Sequence, residues 1–200
     1  MKAHKIVATA SEGPFVFGGD SARLAQWPQN AEGQDLLLLF TIDCNVARCR
    51  LKRTDLPLSG FLHVFSTYDP DEYFIDLITV DEVQQSKGVA SYTYVVHSES
   101  EQVVKSPRSS IPLRFADFEE CYIDDGELSV SSLSAINPPL GALIPDEISE
   151  SFNFLCQVYS SDFPAPYQDA LYMTDGVGYL MINRTLGDYK SDGCFFVQVA

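Results

Sequence analysis

The chain has 200 residues, of which 46% are apolar and 12% aromatic, and this composition supplies a hydrophobic core and excludes a wholly disordered protein. Its 13 basic and 28 acidic residues give a formal net charge of −15, which argues against direct binding to nucleic acid or to an anionic membrane surface. No apolar stretch approaches the roughly 18 residues of a membrane-spanning helix. The apolar run near the N-terminus, Ile6 to Ala8, is shorter than the about 7–15 residues of a secretory signal, so we expect a cytoplasmic protein.

The first forty residues contain two turn signals, a glycine pair and a Trp-Pro step. Gly18 and Gly19 lack the third glycine of a dinucleotide fingerprint and the Gly-Lys-Ser/Thr of a phosphate-binding loop, so we interpret them as positions of positive φ or of close backbone crossing. The segment DSARLAQ, residues 20–26, predicts a short helix that ends at Trp27-Pro28. Because the residue before a proline is held extended, we predict that Trp27 is a buried aromatic side chain that anchors a loop.

Short apolar segments separated by turn residues predict strands along the rest of the chain. They are rich in β-branched and aromatic residues, and pairs such as Asp-Pro, Asp-Gly and Lys-Gly separate them. The polar segment 98–115, which contains two prolines, is predicted to be a surface connection. The predicted strands are residues 35–43, 59–67, 72–80, 90–97, 126–133, 177–183 and 192–200.

One longer helix is predicted at PDEISESFNFLCQVYSS, residues 145–161. Pro145 suits the first position of a helix, and acidic residues follow it at the positive end of the helix dipole. Apolar residues then recur at helical spacing and predict one buried stripe, made of Ile148, Phe152, Leu155, Cys156 and Tyr159. Together these elements predict an α+β fold of predominantly antiparallel sheets packed with one or two helices, in a single domain over residues 1–200.

Two parts of the sequence share a pattern, LLLLFTIDC…LPLSGFLHVFS and VGYLMINRT…KSDGCFFVQVA. Each consists of an apolar strand, a polar loop that ends in glycine, and an aromatic strand. A repeated pattern of this kind suggests a degenerate duplication of one sheet unit.

The charged residues are unevenly distributed along the chain. Residues 115–183 contain twelve acidic and no basic residues, residues 54–86 contain seven acidic and no basic residues, and basic residues are concentrated in 48–53. Such a surface either keeps the protein soluble or steers a cationic partner, and composition alone favours solubility. Two groups of acids surround turn residues: the first acidic cluster (Asp69, Asp71, Glu72 and Asp76) and the second acidic cluster (Glu119, Glu120, Asp124, Asp125 and Glu127).

Residues suited to catalysis are sparse. The five cysteines form no C-x-x-C pair, which predicts small buried side chains rather than a disulfide framework or a zinc site. We expect His4 in a mobile terminus, His63 within a sheet, and His97 at a strand end beside Ser98 and Glu99. No G-x-S-x-G or H-E-x-x-H motif occurs. The sequence therefore predicts a non-enzymatic protein without a metal or cofactor.

Several motifs follow one another in an order that resembles a known family. A Gly-Gly pair, then WP, an apolar strand ending in ID, and LPLSGFLHVF resemble the first half of the YwqG-like family of bacterial domains. FLCQVYSSDFPAPYQD and YLMINRTLGDYKSDGCFFVQV resemble its second half, whereas residues of roughly 68–140 are unmatched. DSARL replaces the family's proline after Gly-Gly, and the final turn GDYKSDG is less compact, so the chain resembles a divergent member.

The resemblance implies an α+β fold of packed antiparallel sheets and no established reaction. Such domains resemble components of bacterial polymorphic toxin loci, in which small acidic cytosolic proteins neutralise a cognate toxin. The expected function is that of an immunity protein whose acidic clusters bind a basic toxin, for example a nuclease effector. The alternative is a housekeeping module of the same family that binds a small molecule or a peptide and has no toxin partner.

Overall fold

The computed structural model describes residues 2–80, 89–122, 135–136, 144–183 and 192–199. The helices in these residues are α1 (Cys44–Leu51), α2 (Ile75–Ile78) and α3 (Asp146–Ser151), with 3-10 turns at Val89–Ser91 and Ser160–Asp162. The strands are β1 (Lys2–Ala8), β2 (Phe15–Phe17), β3 (Ser21–Arg23), β4 (Leu37–Asp43), β5 (Phe61–Ser66), β6 (Thr93–Ser98), β7 (Val103–Lys105), β8 (Arg114–Tyr122), β9 (Ala135–Ile136), β10 (Phe152–Tyr159), β11 (Gly176–Asn183) and β12 (Gly193–Val199).

Ten of these strands form one antiparallel sheet in the order β12-β11-β10-β9-β1-β8-β2-β4-β5-β6. The other two, β3 and β7, pair with each other and form the β3–β7 ribbon. Few residues are helical, and within the described ranges no helix combines the length and the apolar character needed to cross a membrane. The predicted α+β class with predominantly antiparallel sheets is confirmed.

The sheet coils until its two edge strands, β6 and β12, lie against each other. The Thr93 hydroxyl donates to the Phe195 carbonyl at 2.6 Å, and the Asp192 N–H donates to the Val95 carbonyl at 3.3 Å. Coiling encloses a core of fully buried aromatic rings, in which Phe15 stacks on Phe40 with centroids 4.9 Å apart. Burial of this apolar surface is the main term that stabilises the fold.

Five of the predicted strands are confirmed, and they contain the most apolar sequences. Residues 35–43, 59–67, 90–97, 177–183 and 192–200 overlap β4, β5, β6, β11 and β12, and β6 and β11 each extend one residue beyond the predicted range. The two similar sequence patterns form two antiparallel strand pairs, β4–β5 and β11–β12. The predicted strand at 126–133 lies outside the described residues.

The predicted helix at 145–161 is wrong beyond its first turns. Helix α3 ends at Ser151, and the chain continues as β10, which pairs with β9 and β11. An irregularity in register between Phe154 and Cys156 places Phe152 and Phe154 in one apolar cluster and Leu155 and Cys156 in another. This irregularity breaks the alternation that indicates a strand, so the remaining pattern resembles helical spacing.

Three other local predictions are wrong. Residues 72–80 contain helix α2 rather than a strand, because Ile75 and Ile78, three positions apart, both enter the core. Residues 20–26 contain β3 rather than a helix, because they pair with β7. The segment 98–115, predicted as a surface connection, therefore contributes β7 and the start of β8 to the fold.

Helix α1 was not predicted, although its sequence carries two signals. The Asp43 carboxylate accepts the N–H of Val46 at 3.0 Å, as an N-cap residue does. Cys44, Ala47 and Leu51 are buried and lie on one face of the helix. The helix is only eight residues long, so its apolar pattern is too short to stand out in the sequence.

The glycine pair and Trp27 have the structural roles that the sequence predicts. Gly18 and Gly19 have φ values of +65° and +110°, and a Cβ on Gly18 would lie 2.5 Å from the carbonyl oxygen of Ile111. The Trp27 side chain is buried, and its indole N–H donates to the Leu36 carbonyl at 2.8 Å. Both predictions are confirmed.

Candidate functional site

The first acidic cluster lies on the loop after β5 and on helix α2. The side chains of Asp71, Glu72 and Asp76 are exposed, and Asp69 is half-buried. Asp69 Oδ1 accepts the N–H of Asp71 at 2.9 Å, a side-chain turn that orders the loop. The loop and helix thus present four carboxylates on one short segment of the surface.

Large side chains are exposed beside these carboxylates. Tyr73 is 62% exposed, and its hydroxyl donates to Asp76 Oδ1 at 2.9 Å, which raises the pKa of Tyr73. The Tyr73 ring packs edge-to-face on Tyr172, with centroids 5.3 Å apart, and the next residue, Met173, is exposed. Tyrosine and methionine are enriched in protein interfaces. We call this region the acidic–aromatic surface; its members are Asp69, Asp71, Glu72, Tyr73, Asp76, Tyr172 and Met173.

A cleft of about 680 Å³ begins at Asp69. Its walls carry the carboxylates of Asp35, Asp69 and Asp169, and also Tyr68, whose hydroxyl donates to Asp169 Oδ1 at 3.1 Å. Burial and the neighbouring Asp169 raise the pKa of Tyr68 to about 12, so the phenol stays protonated at neutral pH. The cleft therefore offers several oxygen acceptors to a cationic group.

Arg108 is the cation among the described residues that line this cleft. Its Nη1 donates to the Asp35 carbonyl at 3.0 Å and its Nη2 to the Tyr68 carbonyl at 2.7 Å. Both terminal nitrogens are thus engaged with backbone of the cleft walls. Arg108 therefore connects the two walls. The cleft contains three carboxylates and this one guanidinium group among its described lining residues, so its net charge is negative.

The second acidic cluster is partly neutralised where the structure describes it. Glu119 and Glu120 are exposed on β8, opposite Lys5 and His4 of β1. Lys2 Nζ lies 2.6 Å from Glu120 Oε2, and this contact lowers the pKa of Glu120 and raises that of Lys2. The remaining members of the cluster lie outside the described residues; they are Asp124, Asp125 and Glu127.

The basic segment 48–53 is engaged in contacts within the fold. Arg50 forms an ion pair with Asp117. Arg53 pairs with Asp55 at 2.5 Å and donates to the Phe154 carbonyl at 3.0 Å, and its hydrogen bond lowers the pKa of Asp55. These two arginines hold the segment against neighbouring elements and are engaged within the fold.

The histidines all lie in strands. His4 belongs to β1 and pairs with β8, so the expectation that it lies in a mobile terminus is wrong. His97 Nε2 lies 2.8 Å from the Ser59 carbonyl oxygen, and the Ser59 hydroxyl donates to Glu99. The His97 ring thus joins the end of β6 to the loop that precedes β5.

His63 lies within β5, as predicted, and is only 2% exposed. Its Nδ1 lies 2.9 Å from the Thr41 hydroxyl, and its buried Nε2 has no hydrogen-bond partner among the described residues. Burial lowers the pKa of His63 to about 4; the backbone of Arg23 opposes this shift, and the charge of the Arg23 guanidinium adds to it. The ring is therefore neutral at physiological pH.

His63 makes stability depend on pH. The unfolded chain binds a proton near the ordinary pKa of 6.5 and the folded protein only near 4, so acidification between these values favours unfolding. We expect this residue to lower the free energy of unfolding by up to about 3 kcal/mol at pH 4 relative to pH 7. His63→Phe should reduce the slope over this window in urea unfolding, and equal slopes in the two proteins would contradict the prediction.

The cysteines are free, and most are at least partly buried. Cys44 and Cys156 are buried, and burial raises the pKa of Cys44 to about 12, so its thiol is protonated at neutral pH. Cys49 is exposed on α1, which corrects the expectation that every cysteine is buried. Within the part of the chain that the structure describes, no three His, Cys, Asp or Glu side chains are placed to share a metal ion.

Sequence reasoning missed five residues of this region: Tyr73, Tyr172, Met173, Asp35 and Asp169. The predicted strand at 72–80 places Tyr73 in a sheet, whereas the structure exposes it before α2. The signal for Tyr172 and Met173 is weak, a pair of large side chains followed by turn residues in YMTDG. Asp35 and Asp169 are far apart in sequence and meet at the cleft only in the folded chain.

This arrangement suits the binding of a basic partner, because carboxylates accept charge-assisted hydrogen bonds from Lys and Arg. Exposed aromatic side chains among the acids add contact area that a surface built only for solubility does not need. No family model matches the chain, and a search of curated proteins finds no match.

Proposed function

We propose that the protein is a cytoplasmic, non-enzymatic immunity protein, a divergent YwqG-like domain that neutralises a cognate bacterial toxin. The observation that carries the proposal is the position of the first acidic cluster, around the exposed Tyr73 and beside a carboxylate-lined cleft. The partner that fits this surface is a basic protein, such as a nuclease toxin with Lys and Arg in its nucleic-acid groove.

Inhibition follows from the chemistry of the two surfaces. Carboxylates of the acidic–aromatic surface enter the toxin groove at the places that substrate phosphates would occupy, and so exclude the substrate. The cleft of about 680 Å³ accepts a Lys or Arg side chain between Asp69 and Asp169. The net charge of −15 accelerates the encounter with a basic toxin. Tyr73 supplies the desolvated contact that slows dissociation.

The proposal is tested with matched charge reversals. Asp71→Lys with Glu72→Lys removes two exposed acids of the site, and Glu12→Lys with Glu101→Lys makes the same change of net charge at exposed positions elsewhere. We expect the first pair to weaken binding to a cognate toxin at least about tenfold at low salt and to abolish protection of cells that co-express that toxin. The control pair should retain protection, and both should keep the wild-type melting temperature.

A pair of tyrosine variants separates the two acidic clusters. Tyr73→Ala acts in the acidic–aromatic surface, whereas Tyr122→Ala removes an exposed tyrosine from the end of β8, beside the second acidic cluster. We expect only Tyr73→Ala to weaken binding, by about tenfold or more. The proposal fails if the Asp71→Lys/Glu72→Lys variant and its control, Glu12→Lys/Glu101→Lys, protect cells equally and bind the toxin with the same salt dependence. The acids would then only confer solubility.

A further inference from the structure

A second concavity, of about 250 Å³, lies between the main sheet and the β3–β7 ribbon. The sheet contributes the face that points away from the main core, with Thr41 of β4 and His63 of β5, and the ribbon contributes Arg23 and Val103. We call this concavity the His63 groove. It shares no lining residue with the cleft beside Asp69. Its volume fits a molecule of one ring or a short chain, below the size of most drug pockets.

The walls of the groove are largely apolar, and its opening is marked by exposed apolar side chains. Val103 is 60% exposed and Leu113 is 55% exposed, and both line the groove. Val16 and Phe115 extend the apolar lining along the sheet. Exposed apolar side chains that converge on a concavity favour a ligand with a hydrocarbon body.

A buried and incompletely bonded polar group belongs to this lining. The His63 ring is held at Nδ1 by Thr41, and its Nε2 has no hydrogen-bond partner among the described residues. Because the ring is neutral at pH 7, a Thr41 hydroxyl that donates to Nδ1 leaves the proton on Nε2, where it can be donated to a ligand oxygen. A buried donor is unfavourable until it is paired, so a ligand acceptor at this position gains affinity.

A guanidinium group supplies positive charge to the same wall. The Arg23 guanidinium lies 4.8 Å from the centroid of the Phe61 ring, and that ring stacks beside the His63 ring with centroids 6.1 Å apart. Asp20 also lines the groove, but it accepts the Ser21 hydroxyl at 3.1 Å and lies 3.9 Å from Lys105. Arg23 is therefore a cation that an anionic ligand in the groove could contact, in a chain that has few basic residues.

The glycine pair at the groove excludes a phosphate cradle made of backbone donors. Gly18 and Gly19 line the groove, but their N–H groups donate to the carbonyls of Leu39 and Ile111 at 2.8 and 2.9 Å. A phosphate loop needs free backbone N–H groups that point at the ligand. Recognition of an anion here thus depends on side chains.

We propose that the His63 groove binds a small apolar carboxylate, such as an aromatic or short-chain acid. The hydrocarbon body lies between the sheet and the ribbon, and the carboxylate accepts hydrogen bonds from His63 Nε2 and the Arg23 guanidinium. This site does not depend on the proposed toxin partner, because its residues are different.

The test uses benzoate and hexanoate as probes, with benzyl alcohol as the uncharged counterpart, in NMR titrations of the ¹⁵N-labelled protein. We expect saturable shifts at the backbone amides of Val16, Thr41 and Val103 and at the His63 ring nitrogens. Benzyl alcohol should bind at least about tenfold more weakly than benzoate, because it lacks the charge-assisted hydrogen bonds.

Matched variants assign the interaction to its residues. Arg23→Gln should weaken benzoate binding about tenfold, whereas Lys5→Gln removes the same charge from an exposed position on β1, outside the lining, and should change affinity less than about twofold. His63→Phe keeps a flat ring but removes Nε2, and it should reduce the preference for benzoate over benzyl alcohol, since Arg23 remains. Val103→Glu, at an exposed position, should repel both acids without loss of the fold.

The proposal is overturned if neither acid produces saturable shifts in the groove, or if the shifts lie on other surfaces. Equal binding of benzoate and benzyl alcohol, or equal effects of Arg23→Gln and Lys5→Gln, would also overturn it. Loss of benzoate binding in Val103→Glu and Arg23→Gln, with toxin binding unchanged, would support the site and separate it from the acidic–aromatic surface.

Discussion

Replacement of Trp27 by alanine is expected to lower the free energy of unfolding by about 3–5 kcal/mol. The indole is buried, donates to the Leu36 carbonyl at 2.8 Å and packs edge-to-face on Phe65, with centroids 5.2 Å apart. These contacts belong to the apolar cluster that joins the β3–β7 ribbon to the sheet, with Ala22 and Val104 on the ribbon side. The substitution therefore leaves a cavity at the junction and loosens the ribbon.

The measurement is urea unfolding followed by circular dichroism, with Trp27→Phe as the control. Trp27→Phe keeps most of the packing and loses the indole N–H, so it should cost less, about 1–3 kcal/mol. Trp27 is the single tryptophan of the chain, so native fluorescence reports on it directly and should be blue-shifted. An unchanged unfolding midpoint in Trp27→Ala, with the emission of an exposed indole in the wild type, would contradict a buried anchor.

The second large effect is expected where β11 passes beneath a buried ring of β12. A Cβ on Gly178 would lie 2.3 Å from Cζ of Phe195, and that ring is fully buried against Phe40, with centroids 6.0 Å apart. Phe195→Ala should cost about 3–5 kcal/mol through the cavity that it leaves. Gly178→Ala should cost about 1–3 kcal/mol for the opposite reason, because the added methyl group forces the ring to move.

A double-mutant cycle with Phe195→Leu tests whether the ring is the cause. The smaller side chain at Phe195 leaves room for the methyl group, so Gly178→Ala should cost less in the Phe195→Leu background, with a coupling of about 0.5–3 kcal/mol. Trp27→Phe, in a different apolar cluster, should add to Gly178→Ala without coupling. Equal costs of Gly178→Ala in the wild-type and Phe195→Leu backgrounds would show that the backbone, and not the ring, requires glycine.

Most of the strands predicted correctly from the sequence are buried over most of their length; β6, in which only Thr93 and Val95 are buried, is the exception. All eight residues of β11 are buried, and β4 is buried except near its end, so each forms a continuous apolar run. Such a run can be recognised in the sequence alone, because its apolar character does not depend on which strands pair with it. The turn at Gly18 and Gly19 is also visible in the sequence, because residues other than glycine adopt their positive φ values only at a cost in free energy.

Two of the wrong predictions, at residues 20–26 and 145–161, have a common cause in pairing between distant segments. DSARLAQ contains a strand because Ser21–Arg23 pairs with Val103–Lys105. No pattern within residues 20–26 predicts that pairing. Residues 152–159 form a strand because β9 and β11 flank them, and the irregularity in register hides the alternation of their side chains. Local propensity is a weak term that sheet pairing overrides.

The sequence by itself determined the fold class, the buried strands, the anchoring role of Trp27 and the concentration of acids at residues 69–76. Those properties follow from composition, burial and backbone preference, which act within a short stretch of chain. Only the tertiary structure decided that Asp35 and Asp169 meet beside Asp69, and that His63 and Arg23 line one groove. Coiling of the sheet and packing of the ribbon bring these groups together through contacts between residues far apart in the chain, which sequence spacing does not record.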